Sequence, residues 1–315
     1  MEFHYLFRCL DVQKGYNVRI FITGATGFVG LHVIQKCLNE NHEMTALVRS
    51  AEKADQITSL GAAPVYGDIM DPASFVSVLD GCDAIIHLVA IIEENPKKNI
   101  TFENINFKAT KELVRAAEAR GIDRFIYMSA LNADPDDPAP YFASKGKAEK
   151  FVQNSRLNYT ILRPSFIVGP GMPVYSMLAR MIKKTPLHIF PVFGSGQYKH
   201  QPIAVDDVVK SLTRAVSDNK NCSGTFDIGG PEPLSYNEQL RQIAEVTGKR
   251  VRLWHHPLWL SRIGVGLLSL FPRSPIDQDR LSMLIRDNIC DISEFKRVFK
   301  IQPMPFKNAI QYLAE

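Results

Sequence analysis

The stretch TGATGFVG at residues 23–30 constrains the fold more strongly than any other part of this 315-residue chain. It follows the apolar run VRIFI and precedes a segment whose apolar residues recur with helical spacing. Gly24 permits a tight turn, Gly27 lets the backbone approach a pyrophosphate, and Gly30 lets the helix pack closely on the strand. The sequence therefore predicts a dinucleotide site whose anion meets the helix N-terminus. The residues predicted to line it are Gly24, Thr26, Gly27, Phe28, Val29 and Gly30.

Strand-like and helix-like segments alternate along most of the chain. The strand-like runs are residues 18–24, 44–50, 61–68, 82–90, 123–130, 157–169 and 224–230. Such alternation predicts βαβ units, whose right-handed crossovers give a doubly wound parallel sheet, the Rossmann arrangement of an α/β protein. Beyond residue 230, a helical and proline-punctuated sequence predicts a smaller, mostly helical C-terminal substrate lobe. The predicted units are an N-terminal extension at 1–17, a dinucleotide-binding domain at 18–170 plus 201–230, and the substrate lobe at 171–200 plus 231–315.

Composition narrows the class of protein. The chain is 45% hydrophobic and 22% charged, which is ordinary for a soluble globular protein. Its net charge of +4 is spread along the chain without a dense block of lysine and arginine, so nucleic acid is not an expected partner. The five cysteines include no CxxC pair, which favours thiols in a reducing compartment over disulfides or a metal site. We therefore expect a cytoplasmic protein with a small-molecule substrate and no bound metal.

The end of the second strand-like run indicates which dinucleotide is bound. NAD-preferring sites usually place an aspartate or glutamate here for the ribose 2′-hydroxyl. This chain has Arg49 instead, followed by Ser50. A guanidinium can hold a 2′-phosphate in bidentate fashion, which a carboxylate would repel. The sequence therefore favours NADP, with NAD as the alternative if Arg49 is an ordinary solvated charge.

Two further segments are predicted to reach the cofactor crevice. Asp68 and Ile69 follow the third strand-like run, where a backbone and a carboxylate can frame the adenine. Leu88, Val89 and Ala90 end the fourth run at the same edge of the sheet.

Tyr141 lies four residues before Lys145 in the sequence YFASK, so the two side chains share a face if the segment is helical. A tyrosine at its ordinary pKa of about 10 is a poor base at neutral pH, and a neighbouring ammonium lowers that pKa. The pair is either a proton-transfer site or an exposed aromatic residue beside an exposed cation. These five residues alone do not distinguish the two.

Taken together, several motifs resemble the extended or atypical short-chain dehydrogenases/reductases, and they occur in that family's order over residues 18–315. The motifs are TGATGFVG, GDIMD, HLVA, NINFKAT, RFIYMS, YFASK and LRPSFIVGP. The stretches SALNAD, KHQPIAVDDV and DNICD further resemble a branch that includes the nucleotide-binding accessory subunit of respiratory complex I. Bacterial relatives of that branch are described as NAD-dependent epimerase/dehydratase-like.

The resemblance implies roles for individual residues. Tyr141 would be the general acid/base, with its phenolate stabilised by the nearby ammonium, and Lys145 would bind the nicotinamide ribose. Backbone from Pro164 to Phe166 would lie beside the nicotinamide carboxamide. Asn106 and Met128 would also belong to the cofactor site.

One departure from the family pattern concerns the third catalytic group, usually a serine or threonine that hydrogen-bonds the substrate oxygen. In this sequence that register falls on Ala130, while Ser129 occupies the preceding place. Because strand side chains alternate faces, Ser129 need not point where the missing hydroxyl would. Asn132 is another polar candidate within the same short, proline-rich spacer.

The sequence therefore leaves three interpretations of function. The leading one is an NAD(P)-dependent oxidoreductase or epimerase-like enzyme acting on a small or lipid-like carbonyl or hydroxyl compound. The alternative is a structural or assembly protein that binds NADP(H) without turnover. The third is a nucleotide-sugar epimerase or dehydratase.

The segment PLWLSRIGVGLLSLF at residues 257–271 is unusually apolar. A surface of this kind must be covered by the substrate lobe, a second subunit or a membrane interface. We expect it to form one wall of a hydrophobic substrate entrance, with peripheral membrane contact as another interpretation.

Overall fold

A computed structural model of the protein describes residues 17–218, 220–260 and 278–314. Residues 1–16 of the predicted N-terminal extension and residues 261–271 of the apolar segment therefore lie outside the described residues. The strands of the sheet that contains the glycine loop are β1 (Arg19–Thr23), β2 (Glu43–Val48), β3 (Ala63–Tyr66), β4 (Ala84–His87), β5 (Arg124–Met128), β6 (Asn158–Pro164) and β11 (Gly224–Ile228). The short strands are β7 (Ile167–Val168), β8 (Ile189–Phe193), β9 (Lys199–His200), β10 (Ile203–Ala204), β12 (Leu234–Ser235) and β13 (Arg252–His256). The helices are α1 (Phe28–Asn39), α2 (Ala51–Leu60), α3 (Ala109–Ala119), α4 (Pro140–Gln153), α5 (Pro173–Lys184), α6 (Val205–Ser217), α7 (Tyr236–Val246), α8 (Gln278–Leu284), α9 (Ser293–Phe299) and α10 (Phe306–Ala309), and a π-helix (Phe102–Lys108) leads into α3.

The main sheet has seven strands in the order β11-β6-β5-β4-β1-β2-β3, and all of its pairings are parallel. This confirms the predicted doubly wound parallel sheet. The strand order reverses between β1 and β4, which lie side by side. Their carboxyl ends, after Thr23 and His87, form the edge at which such sheets bind ligands.

Both faces of the sheet are covered by helices, which explains why its strands read as continuous apolar runs. Ile20 and Ile22 face one side and belong to the core cluster that includes Val33 of α1. Phe21 faces the other side, in the cluster that includes Leu113 of α3. The alternating direction of β1 side chains therefore divides the core into two layers around the sheet.

The C-terminal region is mainly helical and has its own apolar cluster, formed by α5, α7, α10 and the chain around them. It also contains a two-stranded parallel ribbon, because β13 pairs with β8. In the part of the chain that the structure describes, no helix combines the length and apolar character needed to cross a membrane.

Candidate active site

The glycine loop after β1 is held by close backbone contacts. Gly24 has φ +77°, and a Cβ there would lie 2.9 Å from the carbonyl carbon of Leu88. A Cβ at Gly30 would overlap the carbonyl oxygen of Gly24 and lie 2.6 Å from that of Ala25. Because these neighbours are backbone atoms, neither position accommodates a side chain. The loop therefore has the tight turn and the close helix–strand packing that the sequence predicts.

Gly27 is the N-cap of α1, is exposed, and provides no side-chain cap for the first turn. The first-turn amides at Phe28 and Val29 thus face the switch point without competition from a capping side chain. Since a helix N-terminus attracts anions, this loop fits the pyrophosphate of a dinucleotide.

Arg49 and Ser50 follow β2 at the neighbouring strand end. Ser50 caps α2 and accepts a hydrogen bond from the backbone N of Lys53 at 3.4 Å. Arg49 is exposed, and it has no ion pair or side-chain hydrogen bond within the described residues. Its guanidinium is therefore available to a phosphate group at this edge of the sheet.

The carboxyl ends of β3 and β4 lie at the same edge of the sheet as the glycine loop. Asp68 forms a local turn, in which its Oδ1 accepts from Met70 N at 2.9 Å, and Ile69 is buried beneath it. Exposure increases after β4, from buried Leu88 through half-buried Val89 to exposed Ala90. Val89 and Ala90 therefore present surface at the switch point, whereas Leu88 supports the glycine loop.

Lys145 lies on α4 with its side chain only 1% exposed. Its Nζ donates to the carbonyl oxygen of Met128 at 2.7 Å and sits 4.3 Å from the centre of the Tyr127 ring. Glu149, one turn further along α4, is engaged by Arg163 through a 2.9 Å hydrogen bond. Burial lowers the pKa of Lys145 to about 7, with Glu149 opposing the shift.

Tyr141 occupies the first turn of α4, one turn before Lys145. Its ring makes edge contacts with Phe102 at 5.9 Å and Phe142 at 5.2 Å between centroids. Burial raises the pKa of Tyr141 to about 12. The sequence suggested a lowering by the neighbouring ammonium, whereas in the protein without cofactor the direction is upward and burial is its cause. In this state Tyr141 is neutral, and its hydroxyl is a weaker acid than that of a free tyrosine.

Ser129 and Ala130 are both buried at the end of β5. The Ser129 Oγ has no hydrogen-bond partner within the described residues. Asn132 adopts φ +67° and its Nδ2 donates to the carbonyl oxygen of Asp287 at 3.3 Å. Of the two polar candidates, Ser129 and Asn132, Ser129 is therefore the one whose hydroxyl lacks a hydrogen-bond partner among the described residues. Native protein interiors rarely contain such an unsatisfied buried group.

Asn106 is fully buried in the π-helix and uses its amide on the protein itself. Its Oδ1 accepts from Ile91 N at 2.9 Å, and its Nδ2 donates to Ser144 Oγ at 3.1 Å. Ser144 in turn donates to the carbonyl oxygen of Tyr141 at 2.7 Å. Asn106 thus ties the loop after β4 to the start of α4. Ser144, which the sequence reasoning missed, lies inside the YFASK motif.

His87 is buried, forms two hydrogen bonds, and is connected to Asn106 through Thr110. Thr110 donates to Asn106 O at 2.8 Å, so its Oγ1 accepts from His87 Nε2 at 2.9 Å, and His87 Nδ1 accepts from Thr23 at 2.6 Å. Burial and the nearby Lys145 charge lower the pKa of His87 to about 3. His87 is therefore neutral, and its ring stacks on Tyr127 at 5.5 Å.

The remaining predicted residues lie on β6 and just after it. Pro164 is buried and its carbonyl oxygen accepts from Leu131 N at 3.1 Å, while the Phe166 ring lies 4.6 Å from His200. Between them, Ser165 Oγ donates to Asn288 O at 3.1 Å. The side chains of Ser165 and Phe166 therefore contact residues further along the chain, at Asn288 and His200.

Residues 286–288 form a strap over the loop that precedes Tyr141. Arg286 pairs with Asp137 at 2.7 Å and lies over the Phe142 ring at 5.1 Å. Asp287 Oδ1 accepts from Lys199 N at 2.7 Å, in addition to the contact of its carbonyl with the loop. No local sequence pattern identified this strap, since its partners are distant along the chain.

Lys145 gives a pH prediction for the protein without cofactor. The unfolded chain keeps this proton up to a pH of about 10.4, whereas the folded chain releases it above about 7. The folding penalty is therefore complete below pH 7 and disappears as pH rises through this window. We expect Lys145→Met to be more stable than wild type at pH 6, by about 2–4 kcal/mol in free energy of unfolding, and the gain to shrink towards pH 10.

Urea denaturation at both pH values measures the free energy of unfolding of wild type and Lys145→Met. Lys150→Met, at an exposed position of α4, is the control, and equal pH dependence in wild type and Lys145→Met would contradict the prediction.

Comparison with known proteins places these features in context. Residues 24–176 match the family described as NAD(P)H-binding. The mitochondrial NADH dehydrogenase (ubiquinone) 1 alpha subcomplex subunit 9 of Arabidopsis thaliana is 28% identical over 240 residues, which cover 74% of this chain and 58% of the plant protein. The chain thus spans less than two thirds of that relative. Photosystem II assembly factor Ycf39 of Guillardia theta is 28% identical over 242 residues, 76% of this chain and 74% of that protein.

A solved structure agrees with the architecture. The UDP-glucuronic acid 4-epimerase from Bacillus cereus, in complex with NAD, superposes with a TM-score of 0.71 at 20% identity. The match covers 93% of this chain and 96% of the epimerase. At this identity the likeness establishes the shared fold.

Proposed function

Since this chain is an NAD(P)-binding protein of the epimerase/dehydratase-like short-chain dehydrogenase/reductase family, near the complex I accessory-subunit branch, we propose that it is an NADP-dependent oxidoreductase. The substrate class is a small or lipid-like carbonyl or hydroxyl compound. The observation that carries the proposal is the buried ammonium of Lys145, held 2.7 Å from Met128 O and one turn from Tyr141. A desolvated lysine without its own carboxylate is costly, and such perturbed groups concentrate at functional sites.

The proposed chemistry assigns one task to each residue. When bound, the nicotinamide ring supplies or accepts a hydride. Tyr141 donates its hydroxyl proton to the substrate oxygen when a carbonyl is reduced, and takes a proton from a hydroxyl in the reverse direction. Lys145 binds the ribose hydroxyls and stabilises the resulting phenolate by its charge. Ser129, whose hydroxyl has no protein partner among the described residues, hydrogen-bonds the substrate oxygen.

The proposed division of the chain follows the sheet. Residues 18–170 with 201–230 hold the cofactor, and residues 171–200 with 231–315 form the substrate side. Backbone at Asp68, Val89 and Ala90 borders the nucleotide.

A second candidate is a protein that holds NADP(H) for structural or assembly purposes. It is favoured by Ala130 in the usual hydroxyl register and by the raised pKa of Tyr141, which disfavours the phenolate. The names of the two curated relatives, an accessory subunit and an assembly factor, point in the same direction.

Two measurements distinguish the candidates. Mass spectrometry identifies the nucleotide that co-purifies with the protein, and loss of NADPH absorbance is followed with quinones, aldehydes and ketones. Turnover of one of these compounds supports the oxidoreductase. Bound NADP(H) with no turnover of the panel supports the holding role, and conversion of a UDP-sugar without net NADPH consumption supports the epimerase interpretation.

Arg49 gives a prediction about the cofactor. We expect NADPH to bind on the order of tenfold or more tightly than NADH, because a charged hydrogen bond to the 2′-phosphate contributes about 1.5–3 kcal/mol. Arg49→Asp removes this preference, whereas Lys150→Asp, with the same charge change on α4, leaves it intact. Fluorescence titration with both reduced cofactors measures the ratio. Equal affinities in the wild-type protein would show that Arg49 is only a solvated charge.

A further inference from the structure

The β8–β13 ribbon has one face that is largely exposed within the described residues, with four of its six residues exposed and Phe193 and His256 half-buried. Its register places Arg252 opposite Ile189, Trp254 opposite Pro191 and His256 opposite Phe193. Because strand side chains alternate, these six residues share one side, which we call the ribbon face. The residues between them on β8, Phe190 and Val192, are buried in the apolar cluster on the inner side.

Large apolar side chains are unusually exposed on and beside the ribbon face. Trp254 is 58% exposed, Trp259 just after β13 is 63% exposed, and Leu187 just before β8 is 83% exposed. Within the ribbon face, His256 stacks between Trp254 and Phe193, each at 5.6 Å. The ribbon thus presents an ordered aromatic surface instead of scattered single residues.

The turn between α5 and β8 holds Leu187 outward. Leu187 and His188 both have positive φ, at 52° and 57°, a backbone region that leucine rarely adopts. Such a conformation persists only when the surrounding structure maintains it. The turn therefore ends in an apolar tip beside the ribbon face.

The chain segments that contain this surface carry formal charges of one sign. Residues 171–205 and 246–260 contain seven lysines and arginines and no aspartate or glutamate. Arg180 and Lys184 line a shallow groove of about 440 Å³ along the end of α5, together with Met177, Met181 and Pro191. Pro191 belongs to both the groove and the ribbon face, so the two cations of the groove lie beside the apolar face.

We propose that the ribbon face, the end of α5 and residues 257–260 dock on the surface of an anionic lipid bilayer. Tryptophan rings are favoured at the boundary between headgroups and acyl chains, where their apolar bodies and polar N–H groups are both accommodated. Lysine and arginine beside them are attracted to anionic headgroups. A protein partner would have to match each projecting side chain with its own cavity, whereas a bilayer accepts Leu187, Trp254 and Trp259 in any arrangement that shares a plane. The proposal concerns binding alone and does not depend on the proposed enzymatic activity.

The chain contains only two tryptophans, and both lie on this surface. Intrinsic fluorescence therefore reports docking directly on the unmodified protein. We expect vesicles of phosphatidylcholine mixed with phosphatidylglycerol to shift the emission to shorter wavelength and to carry the protein down on sedimentation. Vesicles of phosphatidylcholine alone should do neither, and added salt should weaken the first result.

Two double variants test the apolar and the charged parts separately. Trp254→Ser with Trp259→Ser, and Arg180→Glu with Lys184→Glu, should each lower the vesicle-bound fraction on the order of tenfold. Lys150→Glu with Lys220→Glu makes the same charge change at exposed positions of α4 and the segment before β11, and should bind as wild type does. The thermal melting of every variant is compared first, so that only folded proteins are scored.

Three results would overturn the proposal. The first is no sedimentation of the wild-type protein with anionic vesicles at low salt. The second is binding that the control variant loses as strongly as the two surface variants do. The third is a wild-type dimer that becomes monomeric in the tryptophan variant without any vesicle binding, which would show that a second copy of the chain covers this face.

Discussion

Tyr141→Phe is expected to lower turnover by about 10²–10⁴-fold while leaving NADPH affinity unchanged, because it removes only the proton donor. The ring itself stays between Phe102 and Phe142, so the packing around α4 is retained. Steady-state turnover and fluorescence titration of NADPH measure the two quantities separately.

Two further variants make this result specific. Tyr159→Phe changes a half-buried tyrosine on β6 and should retain activity. Lys145→Met should weaken both turnover and cofactor affinity, since Lys145 is assigned to ribose binding as well as to phenolate stabilisation. Near-normal activity of Tyr141→Phe would show that Tyr141 and Lys145 form a structural pair in this protein.

Substitutions in the glycine loop give the second large effect, and the expected result differs between Gly27 and Gly30. Gly30→Ala places a methyl group against the carbonyl oxygens of Gly24 and Ala25, and backbone atoms at this position cannot yield. We expect a loss of about 3 kcal/mol in free energy of unfolding, at the upper end of the cost of overpacking. Gly27→Ala brings a Cβ to 3.2 Å from the carbonyl oxygen of Gly24 and has an ordinary extended backbone, so we expect the variant to fold with a smaller loss of stability than Gly30→Ala.

Gly27→Ala should nevertheless lower NADPH affinity on the order of tenfold or more, because the methyl group occupies the approach of the pyrophosphate. Thermal unfolding separates the stability effect from the binding effect, which is measured by titration. Wild-type affinity in a folded Gly27→Ala protein would place the pyrophosphate elsewhere.

The fold was predictable because its signals are local. Each parallel strand of the main sheet is an apolar run closed by a turn, and the helices between them carry their own periodicity. The runs at 18–24 and 224–230 contain β1 and β11 with only small differences in their ends. The nicotinamide cofactor and the family followed from motifs that are likewise short and contiguous.

The parts of the site that sequence reasoning missed depend on residues far apart in the chain. Spacing placed Lys145 one turn from Tyr141, but the burial that moves both pKa values arises from β5, the π-helix and α4 packed together. The pairing of β13 with β8 joins segments more than 50 residues apart, and no hairpin or crossover pattern in the sequence predicts this pairing. The roles assigned to Tyr141, Lys145, Ser129 and Arg49 stay predictions.

The strap formed by residues 286–288 has a consequence for how the protein is made. The side chain of Asp137 is 4% exposed, and the cation that pairs with it lies 149 residues later. During synthesis the loop before Tyr141 therefore emerges from the ribosome long before Arg286 does. The nascent parallel sheet is then followed by a carboxylate whose partner has not yet been translated, and the loop acquires its final contacts only after Arg286 has been made. Chain growth thus orders the two events, with the glycine loop after β1 able to form early and the loop before Tyr141 completed late.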